Sequence, residues 1–236
     1  MTQTKTFDQA DRYNKMKVLG ICFSPRKNGN SEILLGEALK GSRECGAETE
    51  FMSLRNKKIQ PCIGCFKCKE NGVCSQNDEM QDIYPKLLEA DGLIFASPVY
   101  FYSLSGMGKI FLDRTFALRS PELRLMNKVG AAITVASSTG NVAAMHTFNM
   151  FFLTNHMFTT DYVGGYASNK GTIKKHRHAM LGAYELGRMV SLTMSNGYKY
   201  PKEFNMPLYL LVKEKYGVHM SPFENIGDFE EPGRDV

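Results

Sequence analysis

Four cysteines fall within one short run, Cys62 to Cys74, reading Cys-Ile-Gly-Cys-Phe-Lys-Cys-Lys-Glu-Asn-Gly-Val-Cys. Cys62, Cys65 and Cys68 recur at a spacing of three, and Cys74 follows after five other residues. Two intervening residues let one turn of backbone aim two sulfurs at a common centre. Three such sulfurs match corners of a cubic iron–sulfur cluster, and Cys74 can close the fourth. Gly64 and Gly72 free the backbone where it must curl around a bulky inorganic core. Structural zinc usually takes two Cys pairs separated by a longer loop, whereas here all four sit together. A disulfide pair leaves the triple spacing unexplained, and a thioredoxin-like Cys-x-x-Cys needs only two of the four. The four together favour the iron–sulfur reading; zinc, disulfide and redox-thiol chemistry stand as its alternatives.

The elements that position this run alternate between strand and helix. Met16 to Phe23, Glu50 to Leu54, Gly92 to Ser97, Lys128 to Ala136 and Met157 to Gly164 read as strands. Most are short apolar runs of the kind buried on both faces. Helices are expected between them, with apolar positions at Ile33, Leu34, Ala38 and Leu39 in the first. Others are expected over 78–90 (with Pro85 awkward inside), 104–117, 143–155 and 179–194. The cysteine run follows the second strand. Five alternating strands and helices imply a doubly wound parallel sheet, and the flavodoxin-like order 2-1-3-4-5 is the natural choice. Ligands of such sheets lie beyond the strands' C-terminal ends, where the order reverses, here between strands 1 and 3.

Three loops reach that place. After strand 1, Ser24-Pro25-Arg26-Lys27-Asn28-Gly29-Asn30-Ser31 leads into a helix, an arrangement suited to a phosphate. Ser24, Asn28, Asn30 and Ser31 offer polar donors and Arg26 a charge. The loop is not a Walker A sequence, and no Gly-x-Gly-x-x-Gly follows the strand; Gly106-Met-Gly108 comes nearest, with Phe111 in the third glycine's place. After strand 3, Pro98, Val99, Tyr100 and Phe101 can wall a flat ring. After strand 4, Ser138, Thr139, Gly140 and Asn141 can hydrogen-bond a heterocycle's edge. A phosphate joined to a flat polar ring describes FMN. Each loop also has a plain reading, as a capped turn or a core lid.

The chain has 236 residues and a formal net charge of +5. That excess is too small to indicate nucleic acid. Much of it gathers at Lys170, Lys174, Lys175 and Arg177, with His176 and His178 between, which reads as a solvated loop or as a patch for an acidic partner or a nicotinamide phosphate. No apolar run reaches bilayer length, and residues 1–16, a polar arm, lack a signal peptide's apolar core. A reducing, cytoplasmic setting is therefore expected, where clustered cysteines more often bind metal than pair. Cys22 and Cys45 read as non-ligands, and His146 and His156 as structural. Beyond the 17–196 domain, the extension 197–236 carries Pro201, Pro207, Pro222 and Pro232 and suggests an arm over the surface or a neighbouring subunit.

Ser-Pro-Arg-Lys-Asn-Gly-Asn-Ser at 24–31, the cysteine motif, Ala-Ser-Pro-Val-Tyr at 96–100 and Ser-Ser-Thr-Gly at 137–140 together resemble the iron–sulfur flavoprotein family, within the wider NADPH-dependent FMN reductase superfamily. The resemblance spans about 17–194. It implies a flavodoxin-like fold, FMN, one 4Fe–4S cluster held by Cys62, Cys65, Cys68 and Cys74, and a homodimer or homotetramer with the flavin near a subunit interface. It further implies electron transfer, with reduced ferredoxin as donor and a small-molecule acceptor. No protein acid or base is expected, since the cofactors carry the chemistry. The competing expectation is a nicotinamide-dependent FMN or quinone reductase whose cysteines bind zinc or serve structure.

Overall fold

The computed structural model describes residues 16–217. The expected N-terminal arm, Met16 apart, and the tail's far end with Pro222, Pro232 and Asp228 to Val236 lie outside the described residues. The strands are β1 (Lys17–Cys22), β2 (Glu48–Ser53), β3 (Gly92–Tyr100), β4 (Ser103–Leu104), β5 (Val129–Ala136) and β6 (Phe158–Tyr166). The helices are α1 (Asn30–Glu44), α2 (Cys68–Asn71), α3 (Met80–Glu89), α4 (Gly106–Arg114), α5 (Asn141–Thr154), α6 (Arg177–Ser195) and α7 (Leu208–Tyr216).

The main sheet runs β2-β1-β3-β5-β6, all neighbours parallel, and β4 pairs antiparallel with the end of β3. With the two-residue β4 set aside, this is the expected order. β1 and β5 are buried nearly throughout, because helices cover both faces. On one face α1 and α6 pack over Val18, Cys22, Ile94 and Ile133. They cross so closely that a Cβ on Gly187 would lie 1.7 Å from the Ala38 carbonyl oxygen, so only glycine fits there. On the other face α3, α4 and α5 cover an aromatic core. Phe23 lies 5.4 Å from Phe95, 5.2 Å from Phe111 and 5.5 Å from Phe148 between ring centroids. Burying each ring contributes about 1.5–3 kcal/mol.

Local chemistry moves several expected boundaries. The loop expected after strand 3 is instead the end of β3, a tight turn and β4. The helix expected over 104–117 begins at Gly106, because the Ser105 hydroxyl caps it by accepting from Gly108 N–H at 3.2 Å. It gives way to a 3₁₀ turn, Thr115–Arg119. Pro85 sits inside α3 on its exposed side. The last expected helix starts two residues early, at Arg177, because His176 Nδ1 accepts from Ala179 N–H at 3.2 Å.

In the described part of the extension, residues 197–217, aromatic stacking ties the chain to the domain. Tyr200 stacks on Phe158 at 4.9 Å and on His156 at 5.2 Å, the Phe204 carbonyl lies 2.7 Å from His156 Nδ1, and α7 follows. His156 is thus structural, as expected. Cys22 is fully buried in β1, and burial pushes its thiol up to about 11, which suits packing rather than ligation.

Candidate functional site

Beyond the C-terminal ends of β1, β3 and β5 the three expected loops meet. In the first, Asn28 adopts a left-handed conformation (φ 52°) and its N–H donates to Glu32 Oε2 at 3.0 Å. Ser24 is buried and its hydroxyl accepts from Arg26 N–H at 3.2 Å, while Arg26, Lys27 and Asn28 are exposed. α1 opens on Gly29 with no side-chain cap, which leaves its first N–H groups for an anion. Ser31, in that first turn, is 2% exposed.

Asn30 behaves differently from a simple phosphate donor. Its Nδ2 donates to the carbonyls of Ala167 (3.3 Å) and Asn169 (2.9 Å). Its Oδ1 accepts from Gly171 N–H at 2.8 Å and Ile173 N–H at 3.4 Å. The side chain therefore ties the basic 167–175 loop to the start of α1, and what Asn30 offers an anion is its backbone N–H. Between that loop and α1 lies a cavity of about 740 Å³ lined by Lys170, Lys174, Lys175, Asn28, Glu32 and Glu37, among others.

In the second loop Val99 pairs with Leu104 and Tyr100 with Ser103, which leaves Phe101 and Tyr102 as a two-residue turn. Both have positive φ, 45° and 66°, as a twisted hairpin demands of residues usually Asn or Gly. Two aromatics held there are strained, and strain of this kind collects at ligand sites. Phe101 is 96% exposed. The hairpin is anchored below: Ser97 Oγ donates to the Pro98 carbonyl at 2.8 Å, and Ser105 Oγ donates to the Phe23 carbonyl at 2.8 Å.

The third loop abuts the second. Ser138 and Thr139 are exposed, and Gly140 (φ 92°) lies so close that a Cβ would stand 2.9 Å from Val99 and 3.1 Å from the Tyr102 Cα. Asn141 turns away from the loop: it is buried, and its Nδ2 donates to the Gly165 carbonyl at 3.1 Å. Gly106-Met-Gly108 belongs to α4, and Gly108 is accounted for by packing, since a Cβ there would press on Phe23 at 2.9 Å.

The cysteine run forms a second centre. Gly64 (φ 66°), Phe66 (55°) and Gly72 (71°) all take left-handed backbone, which curls the loop around its own thiols. Gly72 is pressed against the 120–124 segment: Ser120 Oγ donates to the Lys69 carbonyl at 3.0 Å and Arg124 donates to the Gly72 carbonyl at 3.2 Å. Cys62, Cys65, Cys68 and Cys74 all line one cavity of about 420 Å³, closed on the far side by Leu112, Phe116, Arg119, Phe151 and Asn155. Among the described residues no three His, Cys, Asp or Glu side chains converge on a single point.

Their environments differ. The Ser75 hydroxyl, 3.4 Å from Cys65, lowers that thiol's pKa, while burial and then Cys74 raise that of Cys68.

One feature of this centre carries no simple sequence signal. Arg114 is 1% exposed and donates to both Asp78 oxygens, at 2.6 and 3.0 Å. It also donates to the Gln60 carbonyl at 2.9 Å, and Asp78 accepts from Gln60 N–H at 2.8 Å. Gln81 donates to the carbonyls of Cys74 and Gln76. Both stems of the cysteine loop are held by these groups. The available hint was position: Arg114 falls three residues after buried Phe111, on the inward stripe of α4.

The two centres sit at opposite ends of the same helices. α5 starts at Asn141 beside the three loops and runs fourteen residues to Thr154, next to Asn155 in the cavity wall. That is about 21 Å at 1.5 Å per residue. Val142, Met150 and Leu153 of α5 are exposed, so this helix carries apolar surface outward. No helix among the described residues is long and apolar enough to cross a membrane.

Comparison with known proteins agrees with this architecture. Residues 16–170 match the family model described as NADPH-dependent FMN reductase. An iron–sulfur flavoprotein of Methanocaldococcus jannaschii is 40% identical over 75% of this chain and 96% of its own length. An iron–sulfur flavoprotein of Archaeoglobus fulgidus is 34% identical over 71% of this chain and 87% of its own. A flavodoxin structure from the domain Archaea superposes with a TM-score of 0.51 at 14% identity, covering 76% of this chain and 99% of that one, a likeness of fold. The chain belongs to the iron–sulfur flavoprotein family, within the NADPH-dependent FMN reductase family, and is an FMN-dependent oxidoreductase.

Proposed function

We propose that the protein is an electron-transfer flavoprotein. It links a one-electron carrier such as ferredoxin, a 4Fe–4S cluster on Cys62, Cys65, Cys68 and Cys74, and FMN, and it reduces a small two-electron acceptor. The observation that carries the reading is the set of four thiols from one curled loop lining a single cavity. Three of the four recur at a spacing of three within one loop, which suits the corners of an iron–sulfur cube better than the two separated Cys pairs usual for structural zinc. The relatives named as iron–sulfur flavoproteins support the same assignment.

The chain's residues also fit FMN. The uncapped start of α1 with Ser24, Arg26, Asn28, Ser31 and the Asn30 N–H forms an anion cradle. Pro98, Val99, Tyr100 and Phe101 supply the ring's wall. Ser138, Thr139 and Gly140 supply its polar edge, and Asn141 holds the start of α5 against β6. When bound, a flavin and a cluster together couple one-electron to two-electron chemistry. The protein's part is to bind, orient and screen: no side chain here is assigned a proton.

Within one chain the two centres are separated by the length of α5. Close approach of a cluster to a flavin is therefore assigned to a second copy of the chain packed on the exposed face of α5, in a homodimer or homotetramer. A cytoplasmic setting goes with this reading. A second reading, direct reduction by NAD(P)H, is favoured by one feature: the lysine-lined cavity beside the anion cradle would suit a nicotinamide's phosphates.

Anaerobic purification tests the leading reading. Brown protein containing FMN, iron and labile sulfide, bleached by dithionite and reduced by ferredoxin, is the expected result. Yellow protein with zinc or no metal, reduced by NAD(P)H, would establish the second reading instead.

A further inference from the structure

The cavity that holds the four thiols has charged residues in its opposite wall, and most are already neutralised. Arg114 is paired with Asp78. Asp113 lies 2.6 Å from Lys109. Arg119 is the exception: its side chain donates to Thr154 Oγ1 at 2.9 Å, and among the described residues no carboxylate lies within ion-pairing distance. It sits half-buried beside Phe116, Phe151 and Asn155, and burial holds its guanidinium below the usual arginine range, with Tyr209 of α7 pulling the other way. It remains a cation at any ordinary pH. A half-buried guanidinium with no carboxylate partner among the described residues favours a nearby anion.

Four thiolates around an iron–sulfur core make such an anion, and each electron the core accepts adds one negative charge without a proton. We propose that Arg119 is the counter-charge of the cluster, a positioning residue that raises the reduction potential of the four-thiolate centre. The inference rests on the iron–sulfur reading above. Net charge and burial are two of the levers by which a protein sets such potentials, and a cation in the wall of the thiol-lined cavity acts through both. The donor's electron would then be drawn to the cluster by a charge supplied from the 3₁₀ turn after α4. That turn is separate from the cysteine loop itself.

The test is a potentiometric titration of the anaerobic protein, followed by the cluster's spectroscopic signal, in the wild type, Arg119→Gln and Arg119→Lys. With iron and sulfide content equal to wild type, Arg119→Gln is expected to lower the midpoint by the equivalent of about tenfold in the equilibrium constant. That is about 59 mV for a one-electron couple. Arg119→Lys, which keeps the charge, is expected to restore most of the shift. Should Arg119→Gln fail to fold or to load, Arg119→Met decides instead: it keeps a long side chain in the wall without the charge and is expected to lower the midpoint by the same amount. A loaded Arg119→Gln with the wild-type midpoint overturns the proposal, as does an Arg119→Lys that falls as far as Arg119→Gln, or an unmoved Arg119→Met when it decides. Wild-type protein lacking iron and sulfide overturns the iron–sulfur reading itself, and metal analysis tells that failure from the others.

Discussion

Arg114 and Asp78 meet in a two-pronged ion pair, 2.6 and 3.0 Å, at the base of the cysteine loop. Neither belongs to the loop's thiols, yet both stems of the loop hang on them. Their side chains are 0% and 10% exposed. Removing one partner leaves the other buried without its counter-charge, which typically costs about 3–5 kcal/mol. Asp78→Asn is therefore expected to lower stability by an amount in that range, read by denaturant unfolding, and to loosen the loop, read as faster amide exchange over 60–76.

The same carboxyl gives a pH signature. Burial pushes Asp78 up, but Arg114 and the N–H groups of Gln60 and Met80 together pull it further down, so its folded pKa lies below the ordinary carboxylate value. A group depressed on folding contributes stability that is present above its unfolded pKa, about 3.9, and lost as pH falls through the folded value. Stability curves of wild type and Asp78→Asn should thus run parallel near neutrality and converge in acid below about pH 4. Curves that stay equally separated at acid pH would remove Asp78 from this role.

The Phe101–Tyr102 turn holds two bulky residues where glycine or asparagine is preferred. Replacing the pair by Asn-Gly (F101N with Y102G) is expected to stabilise the free protein by about 1–3 kcal/mol through relief of strain. FMN affinity should fall in the same variant, because the exposed ring of Phe101 is lost from the wall. Thermal unfolding and flavin titration check the two halves separately. A variant that is both no more stable and equally flavin-binding would show the turn to be neither strained nor part of the site.

Gly140 joins the ring's wall to its polar edge. Gly140→Ala places a Cβ against Val99 and the Tyr102 backbone and strains a φ of 92°. A strain of about 1–3 kcal/mol is expected. FMN dissociation constants should rise by roughly tenfold, about 1.4 kcal/mol, as read by fluorescence quenching of the flavin.

Much of this was legible in the residues themselves. Runs such as Val-Gly-Ala-Ala-Ile-Thr-Val-Ala announce a strand buried on both faces, and their alternation with helices implies a doubly wound parallel sheet, for which 2-1-3-4-5 is the natural order with five strands. The cysteine spacing is local, so the sequence alone could say that four thiols share one loop. Long-range partnerships were hidden. Nothing near Asn30 in the chain reveals that its amide clasps residues 167–173, nor that Arg114 finds Asp78 across the fold. The Phe101–Tyr102 turn read as a loop because its aromatics carry no turn signal. Helix α7 was obscured by the prolines around it, although Pro207 in fact stands just before its first turn, where proline is tolerated.

The most direct measurement is the inorganic content of the protein isolated without oxygen. Iron and acid-labile sulfide in a 4Fe–4S ratio are expected alongside FMN, with the iron lost when Cys62, Cys65, Cys68 or Cys74 is changed to serine. FMN accompanied by zinc, or by neither iron nor sulfide, would contradict the assignment of these four thiols to a cluster.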